Sequence, residues 1–489
     1  MNRSSYLPIA GLVALLSAAP AVSAVTATKP NILFLFADQL RDSATGYAGD
    51  PNVRTPNLDS LAKESLNFRN AVSVCPVCTP YRAALLTGRF PTTTGMFLND
   101  AYLPDREVSI AEVLKPAGYD TAYIGKWHLD GHGRSSYIPP ERRQGFDYWK
   151  VAECDHTYNR SHYYTGNSSE KKFWDGYDAL AETKDAQQYL RDHARTGQPF
   201  CLFLSYGIPH FPHGTAPDQF KAMYPPGQLK FRPNVPPEMQ TDQVRTEAQG
   251  YYAHTSALDQ CLGDLIATLA EVGLKENTIL VFTSDHGEMM GSHGIRPFTK
   301  QVPYDESAHV PFLLRYPKAH GATGRAVLTP LTTPDIMPTL LSLAGVPIPP
   351  TVEGRDLSAL VTAGGHELPE REALYMGVAP FAGKDRDTPY RAIRTSRYTY
   401  VRRLEGPWLL FDNNNDSCQT NNLVNQPPYA ALAQEMEQRL QATLKAAHDD
   451  FRPPDYYLER FGYAVAPHDS ISYAPGAKVQ SPKQVAPAP

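Results

Sequence analysis

The chain has 489 residues, a formal net charge of −5, 42% hydrophobic residues and 20% charged residues. These are the proportions of a globular protein, long enough for one large domain and a smaller one. No block of Lys and Arg forms a polybasic arm, so the charge pattern excludes an electrostatic nucleic-acid binder. Past the N-terminus no segment is apolar enough for a stable bilayer span.

The N-terminus carries Arg3, then an apolar stretch over residues 7–21 broken by Pro20. Val22-Ser23-Ala24 follows as a small-residue cleavage site, so residues 1–24 read as a signal peptide. The stretch is short for an anchor helix, and no cysteine follows it to take a lipid. The expected destination is the periplasm or the exterior.

Residues 31–37, NILFLFA, stop at the polar Asp38 and Gln39, as a buried strand of a parallel sheet does. Thr55 and Pro56 open a helix expected to reach about Leu66. A helix over 109–114 precedes a strand over 121–124, which runs into Gly125-Lys126-Trp127-His128. A strand over 200–206 leads to Pro209-His210. A long amphipathic helix over 246–272 precedes a strand over 278–283, which ends in Ser284-Asp285-His286. Strands alternate with helices, and polar residues arrive just past the strand ends. The pattern predicts an α/β fold over 29–362, a large doubly wound, mostly parallel sheet with its site at the C-terminal strand ends. Short strands over 373–376, 390–394, 398–402 and 408–411, with a helix over 429–447, predict a smaller antiparallel subdomain over 370–465. Residues 466–489, rich in Pro, Ala and Ser, are expected to be a mobile or loosely attached tail.

Six cysteines do not make a disulfide scaffold. Cys201 and Cys261 sit in apolar patterns and read as buried thiols; Cys154 and Cys418 sit in polar segments and are either paired or free. Cys75 and Cys78 are spaced like a metal hook or a redox pair. No second Cys or His pair at zinc spacing accompanies them. Pro76 follows the first cysteine, and the unit upstream is not thioredoxin-like. A disulfide between them would close a very short loop.

The run that begins at Cys78 is more specific: Cys78-Thr79-Pro80-Tyr81-Arg82, then AALLTGR. This resembles the C-x-P-x-R signature of type I sulfatases and its A-x-L-L-T-G-R continuation. In that family a formylglycine-generating or anaerobic maturating enzyme oxidises the cysteine to formylglycine before folding. Tyr81 stands where serine is frequent. NILFLFADQ resembles the family's first metal motif, with Asp38 and Gln39 as ligands and Gln39 in a place often held by aspartate. Asp285 and His286 in SDHGE match the second metal pair. The resemblance implies one divalent cation held by Asp38, Gln39, residue 78, Asp285 and His286. Calcium is expected, with magnesium or manganese less so.

GKWHL resembles the family's G-K-W-H-L-G, implying Lys126 as a sulfate-binding cation and His128 as a base. PHFP implies His210 at the leaving oxygen, and FTKQVPYDES places Lys300 as a second sulfate cation. Arg82 would hold the nucleophile. His213 and, from the segment ECDHTYNRSHYYTG, Arg160 and His162 are further candidates for the substrate pocket. The later AIRTSRYTYVRR and WLLFDNNNDSCQTNNL resemble the family's C-terminal part. The implied activity is hydrolysis of sulfate esters, on sulfated carbohydrate if the chain is exported. Competing readings are a phosphonate monoester or phosphodiester hydrolase of the same fold, a choline or aryl sulfatase, and a binding protein with a decayed site.

Overall fold

The computed structural model describes residues 1, 29–362, 370–379, 389–465, 471–473 and 477–485. Apart from Met1, the expected signal peptide lies outside these residues.

A ten-stranded sheet organises the chain. Its centre is five parallel strands in the order Thr278–Ser284, Asn31–Asp38, Phe200–Pro209, Asp120–Lys126 and Tyr148–Ala152. Antiparallel pairing enters on both sides, through Phe312–Arg315 and through His162–Thr165. The strand Asn31–Asp38 is buried along its whole length because both faces are covered. Ile32, Phe34 and Phe36 join one apolar cluster, and Leu33, Leu35 and Ala37 join the other. Each large apolar side chain among them, fully buried, contributes about 1.5–3 kcal/mol relative to exposure.

The first face carries the helix Cys78–Thr87, ended by Gly88 in the left-handed region (φ 66°). The second face carries the helix Asp242–Glu271, which starts earlier than its apolar periodicity suggests. Thr241 caps it, accepting from the Val244 N–H at 3.2 Å. A helix over Asp178–Thr196 also packs here, through Ala179, Ala186, Tyr189 and Leu190. It is absent from the elements expected from sequence, because its few apolar positions lie among many polar ones. The helix expected to reach Leu66 stops at Glu64, and Leu66 opens the strand Leu66–Phe68 instead.

The C-terminal strands Ala373–Gly377, Tyr390–Arg394, Tyr398–Arg403 and Gly406–Asp412 form an antiparallel sheet in chain order. Tyr375, Tyr390, Val401 and Phe411 share a cluster with Val72 and Ala308 of the large layer. The helix Ala430–Ala446 packs on this sheet.

The tail is not loosely attached where it is described. Ile471 is buried. The Tyr102 N–H donates to the Gln480 carbonyl at 2.8 Å, and the Lys483 N–H donates to the Phe461 carbonyl at 3.0 Å. Arg134 lies 3.8 Å above the Tyr473 ring. The composition is poor in apolar residues, yet a few suffice when they dock on a surface that is already folded.

Candidate active site

The ends of the central strands converge on Cys78. Asp38 ends one strand, Lys126 ends another, His210 follows a third, and Asp285 and His286 follow a fourth. This is where an open α/β sheet places its ligand. Cys78 is the first residue of its helix, so the helix N-terminus adds positive potential at its sulfur.

Around the Cys78 Sγ stand His286 Nε2 at 3.3 Å, Lys300 Nζ at 3.4 Å, Asp38 Oδ1 at 3.6 Å and Lys126 Nζ at 3.7 Å. All of these residues are buried. Burial and Asp38 oppose a thiolate there, but Lys126, Lys300 and His286 outweigh them and hold the Cys78 thiol well below its usual range. Residue 78 therefore sits where negative charge is favoured.

Arg82, one turn along the same helix, donates to Asp285 Oδ2 at 3.1 Å and lies 3.6 Å from Asp38. It also donates to the Lys126 carbonyl and to Ser205 Oγ, both at 2.7 Å. One guanidinium thus fixes two acids and the end of a strand. Lys126 pairs with Asp38. Gly125 precedes it at φ 100°, and a Cβ there would lie 2.1 Å from the Ser205 carbonyl oxygen.

Asp38, Cys78, Asp285 and His286 offer ligand atoms all within 4.8 Å of one another. Burial and the neighbouring Asp38 push the Asp285 carboxyl up, the signature of two acids crowded out of water. A divalent cation would relieve that crowding, and the oxygen-rich set suits a hard one. Gln39 belongs with this set. Its backbone is left-handed (φ 73°), and its N–H donates to Asp285 Oδ1 at 3.0 Å. Its side-chain amide nitrogen donates to the buried carboxylate of Glu288. A carboxylate only accepts, so the Gln39 carbonyl oxygen must face the other way. There it accepts from Lys300 Nζ at 3.3 Å.

His128 is also left-handed (φ 58°), and such non-glycine residues cost about 1–3 kcal/mol each. Its Nε2 lies 3.1 Å from Asp100 Oδ1, and Asp100 is gripped by Arg134. Its Nδ1 has no hydrogen-bond partner among the described residues. Burial resists protonation of His128, but Cys154, Asp100 and Cys78 push it up to about 9. Thr79, beside the nucleophile position, donates to the His128 carbonyl at 2.8 Å, tying the two segments together.

His210 is held neutral by burial and by the positive Lys300. Its Nδ1 donates to the Phe211 carbonyl at 2.8 Å, and its Nε2 accepts from Lys300 Nζ at 3.1 Å.

The structure thus brings together Asp38, Gln39, Cys78, Arg82, Lys126, His128, His210, Asp285, His286 and Lys300. None of the three candidates for the substrate pocket hydrogen-bonds to this group among the described residues. The His213 ring is buried, bonds Glu247 at 2.9 Å and packs on Tyr251 and Phe298. His162 is buried on its strand and bonds Asp155. Arg160 lies 5.1 Å over the exposed Phe173 ring. From that segment, His156 is the residue that reaches the site, its ring stacked on His210 at 4.2 Å and 9°. Cys154 and Cys418 are both free thiols. Cys154 lies 3.4 Å from His156 Nε2, and Lys126, His128 and His156 together overcome burial and bring its thiol down to about 5. Cys75 is buried away from the cluster, and burial pushes it up to about 12.

Sequence reasoning misses Asp100, Glu288, Cys154, His156 and Ser205 as members of the site. Of these, Glu288 carries a sequence signal as the last residue of SDHGE, and Cys154 and His156 lie in the segment ECDHTYNRSHYYTG, whose composition does not single them out.

The sulfatase family model matches residues 30–346, and a model for the C-terminal region of N-sulphoglucosamine sulphohydrolase matches residues 291–446. An ulvan-active sulfatase of Formosa agariphila is 53% identical over 89% of this chain and 85% of its own length. An endo-4-O-sulfatase of Bacteroides thetaiotaomicron is 34% identical over 83% of this chain and 90% of its own. The solved structure of yidJ from Bacteroides fragilis superposes with a TM-score of 0.77 at 32% identity, covering 90% of this chain and 99% of that one. The fold is that of the alkaline-phosphatase superfamily. The chain belongs to the sulfatase family and is a sulfate ester hydrolase. Among the described residues no helix is long and apolar enough to cross a membrane.

Proposed function

We propose that the chain is exported after cleavage near Ala24 and is converted at Cys78 to formylglycine by a maturation enzyme. It then binds one calcium ion and removes sulfate from a sulfated polysaccharide. Residues 29–362 form the catalytic unit, and residues 370–465 buttress it. The observation that carries this reading is the closed ring of Asp38, Lys126, His286 and Lys300 around the sulfur of residue 78. The names of two relatives, one ulvan-active and one an endo-4-O-sulfatase, favour a carbohydrate polymer over a small ester.

The chemistry sets three demands: a nucleophile aimed at sulfur, neutralised sulfuryl oxygens, and a proton for a poor leaving group. Formylglycine supplies, on hydration, one hydroxyl to attack and a second whose deprotonation returns the aldehyde and expels sulfate. A divalent cation held by Asp38, Gln39, Asp285 and His286 would supply positive charge that acidifies the attacking hydroxyl. Lys126 and Lys300 flank residue 78 and neutralise the sulfuryl oxygens without moving. Arg82 keeps the two acids in place. His210 stands at the leaving oxygen, and the His210–Lys300 pair supplies that oxygen's proton as it departs. His128 accepts the proton of the second hydroxyl through Nδ1, the nitrogen left open.

The test uses protein from its native host, with ulvan, p-nitrophenyl sulfate and a phenyl phosphonate as substrates. Sulfate release from ulvan, lost in Cys78→Ala with folding intact, is expected. Faster turnover of the phosphonate than of any sulfate ester would overturn the reading.

A further inference from the structure

Beside the catalytic cluster lies a row of aromatic rings, of which the chemistry above uses only His210. His156 stacks on His210 at 4.2 Å, and His210 stacks on Phe211 at 4.2 Å and 28°. Phe211 meets Phe298 at 4.8 Å, and Phe298 covers His213 at 5.5 Å. The row runs from the buried proton donor outward to Phe298, which is 39% exposed.

Three features make Phe298 unusual. A large apolar ring stands in water beside a polar site. Its backbone is left-handed (φ 73°), a conformation bulky residues avoid. Its N–H is held by both oxygens of the buried Glu288, at 3.0 and 3.1 Å. The same carboxylate orients Gln39. Two residues further on, Lys300 reaches to 3.4 Å from the Cys78 Sγ. A strained, exposed ring anchored to the catalytic frame is more than a packing accident. Packing alone would be served by a smaller side chain over His213. Arg296, two residues earlier, is also exposed.

We propose that Phe298, backed by Phe211, is a stacking platform for the sugar ring next to the sulfated one in a polyanionic chain. The flat face of a pyranose offers C–H groups that pack on an aromatic face. Pockets that recognise extended ligands combine such apolar walls with a few fixed polar groups. This inference rests on the carbohydrate reading above and adds that recognition extends beyond a single sugar.

Affinity is measured by calorimetry with ulvan tetrasaccharides on the Cys78→Ala chain, which cannot turn them over. In that background Phe298→Leu keeps apolar cover over His213 but removes the flat face, and Phe298→Trp restores a flat face. The expected result is at least a tenfold weaker Kd with Leu and a Kd within threefold of the parent with Trp. In the matured enzyme, the ratio of kcat/KM on tetrasaccharide to that on p-nitrophenyl sulfate falls at least tenfold with Leu. Equal affinity of the Leu and parent chains would overturn the platform alone. No tetrasaccharide binding by the parent chain, with p-nitrophenyl sulfate still hydrolysed by the matured enzyme, would overturn the carbohydrate reading and the platform with it.

Discussion

Lys300 Nζ lies 3.1 Å from His210 Nε2, while His210 Nδ1 donates to the Phe211 carbonyl. The imidazole therefore presents an acceptor nitrogen to an ammonium group, and a proton for the leaving oxygen enters this pair from the lysine side. His210→Asn should lower kcat by about 10²–10⁴-fold on sugar sulfates, whose alkoxide must be protonated. It should cost far less on p-nitrophenyl sulfate, whose phenolate leaves unaided. Steady-state kinetics on both substrates decide the matter, and equal losses would remove His210 from leaving-group protonation.

Glu288 fixes which end of the Gln39 amide faces the cation position. Glu288→Gln lets that amide turn, and Gln39→Glu sets two carboxylates against each other. Each single change should weaken calcium binding at least tenfold by titration calorimetry. The double variant Gln39→Glu/Glu288→Gln restores a donor–acceptor pair and should bind calcium within threefold of the parent. Additive losses would refute the coupling.

The folded protein holds the His128 proton up to about 9, against burial, with the help of Cys154 and Asp100. A base must be neutral to act, so kcat should rise with pH toward that value. Asp100→Asn removes one carboxylate that favours the cation, so His128 loses its proton earlier and the rising limb moves to lower pH. Profiles of kcat against pH in the two proteins provide the check. An unmoved limb would place the titrating group elsewhere.

Glu306 is buried, yet His293, Arg232 and Asn234 overcome burial and hold its carboxyl down to about 2. A carboxylate with a depressed pKa stabilises the fold above its unfolded value near 4.5, and the contribution fades as pH falls toward the folded value. The difference amounts to about 3 kcal/mol at neutral pH. Glu306→Gln should therefore lower Tm most at pH 7, and the gap should narrow by about pH 3.5, between the two pKa values. A constant gap in thermal melts would show that shape and hydrogen bonding, not charge, are what the site requires.

Much of the fold is legible in the chain because strand ends carry their own markers. NILFLFADQ and the run into SDHGE each show an apolar strand stopping at polar residues, and this places the central strands and their functional ends from sequence alone. Residues that act across the fold are not legible. Asp100 meets His128 across 28 positions, and Glu288 meets Gln39 across 249, with no local periodicity to announce either contact. The segment 153–166 stands out as dense in His, Arg and Tyr, but composition does not tell which member points inward. His156 faces His210, while Arg160 faces Phe173. The tail misleads because composition reports what a segment can bury alone, not what surface awaits it.

The central claim is conversion of Cys78, and the most direct measurement is the mass of the tryptic peptide spanning residues 70–82, taken from protein made in its native host. Conversion exchanges one sulfur and two hydrogens for one oxygen, and the aldehyde reacts with a hydrazide probe. A lighter, hydrazide-reactive peptide with Cys75 unchanged is the predicted result. An intact thiol at Cys78 in protein that still hydrolyses sulfate esters would contradict the account, because the nucleophile would then be something other than formylglycine.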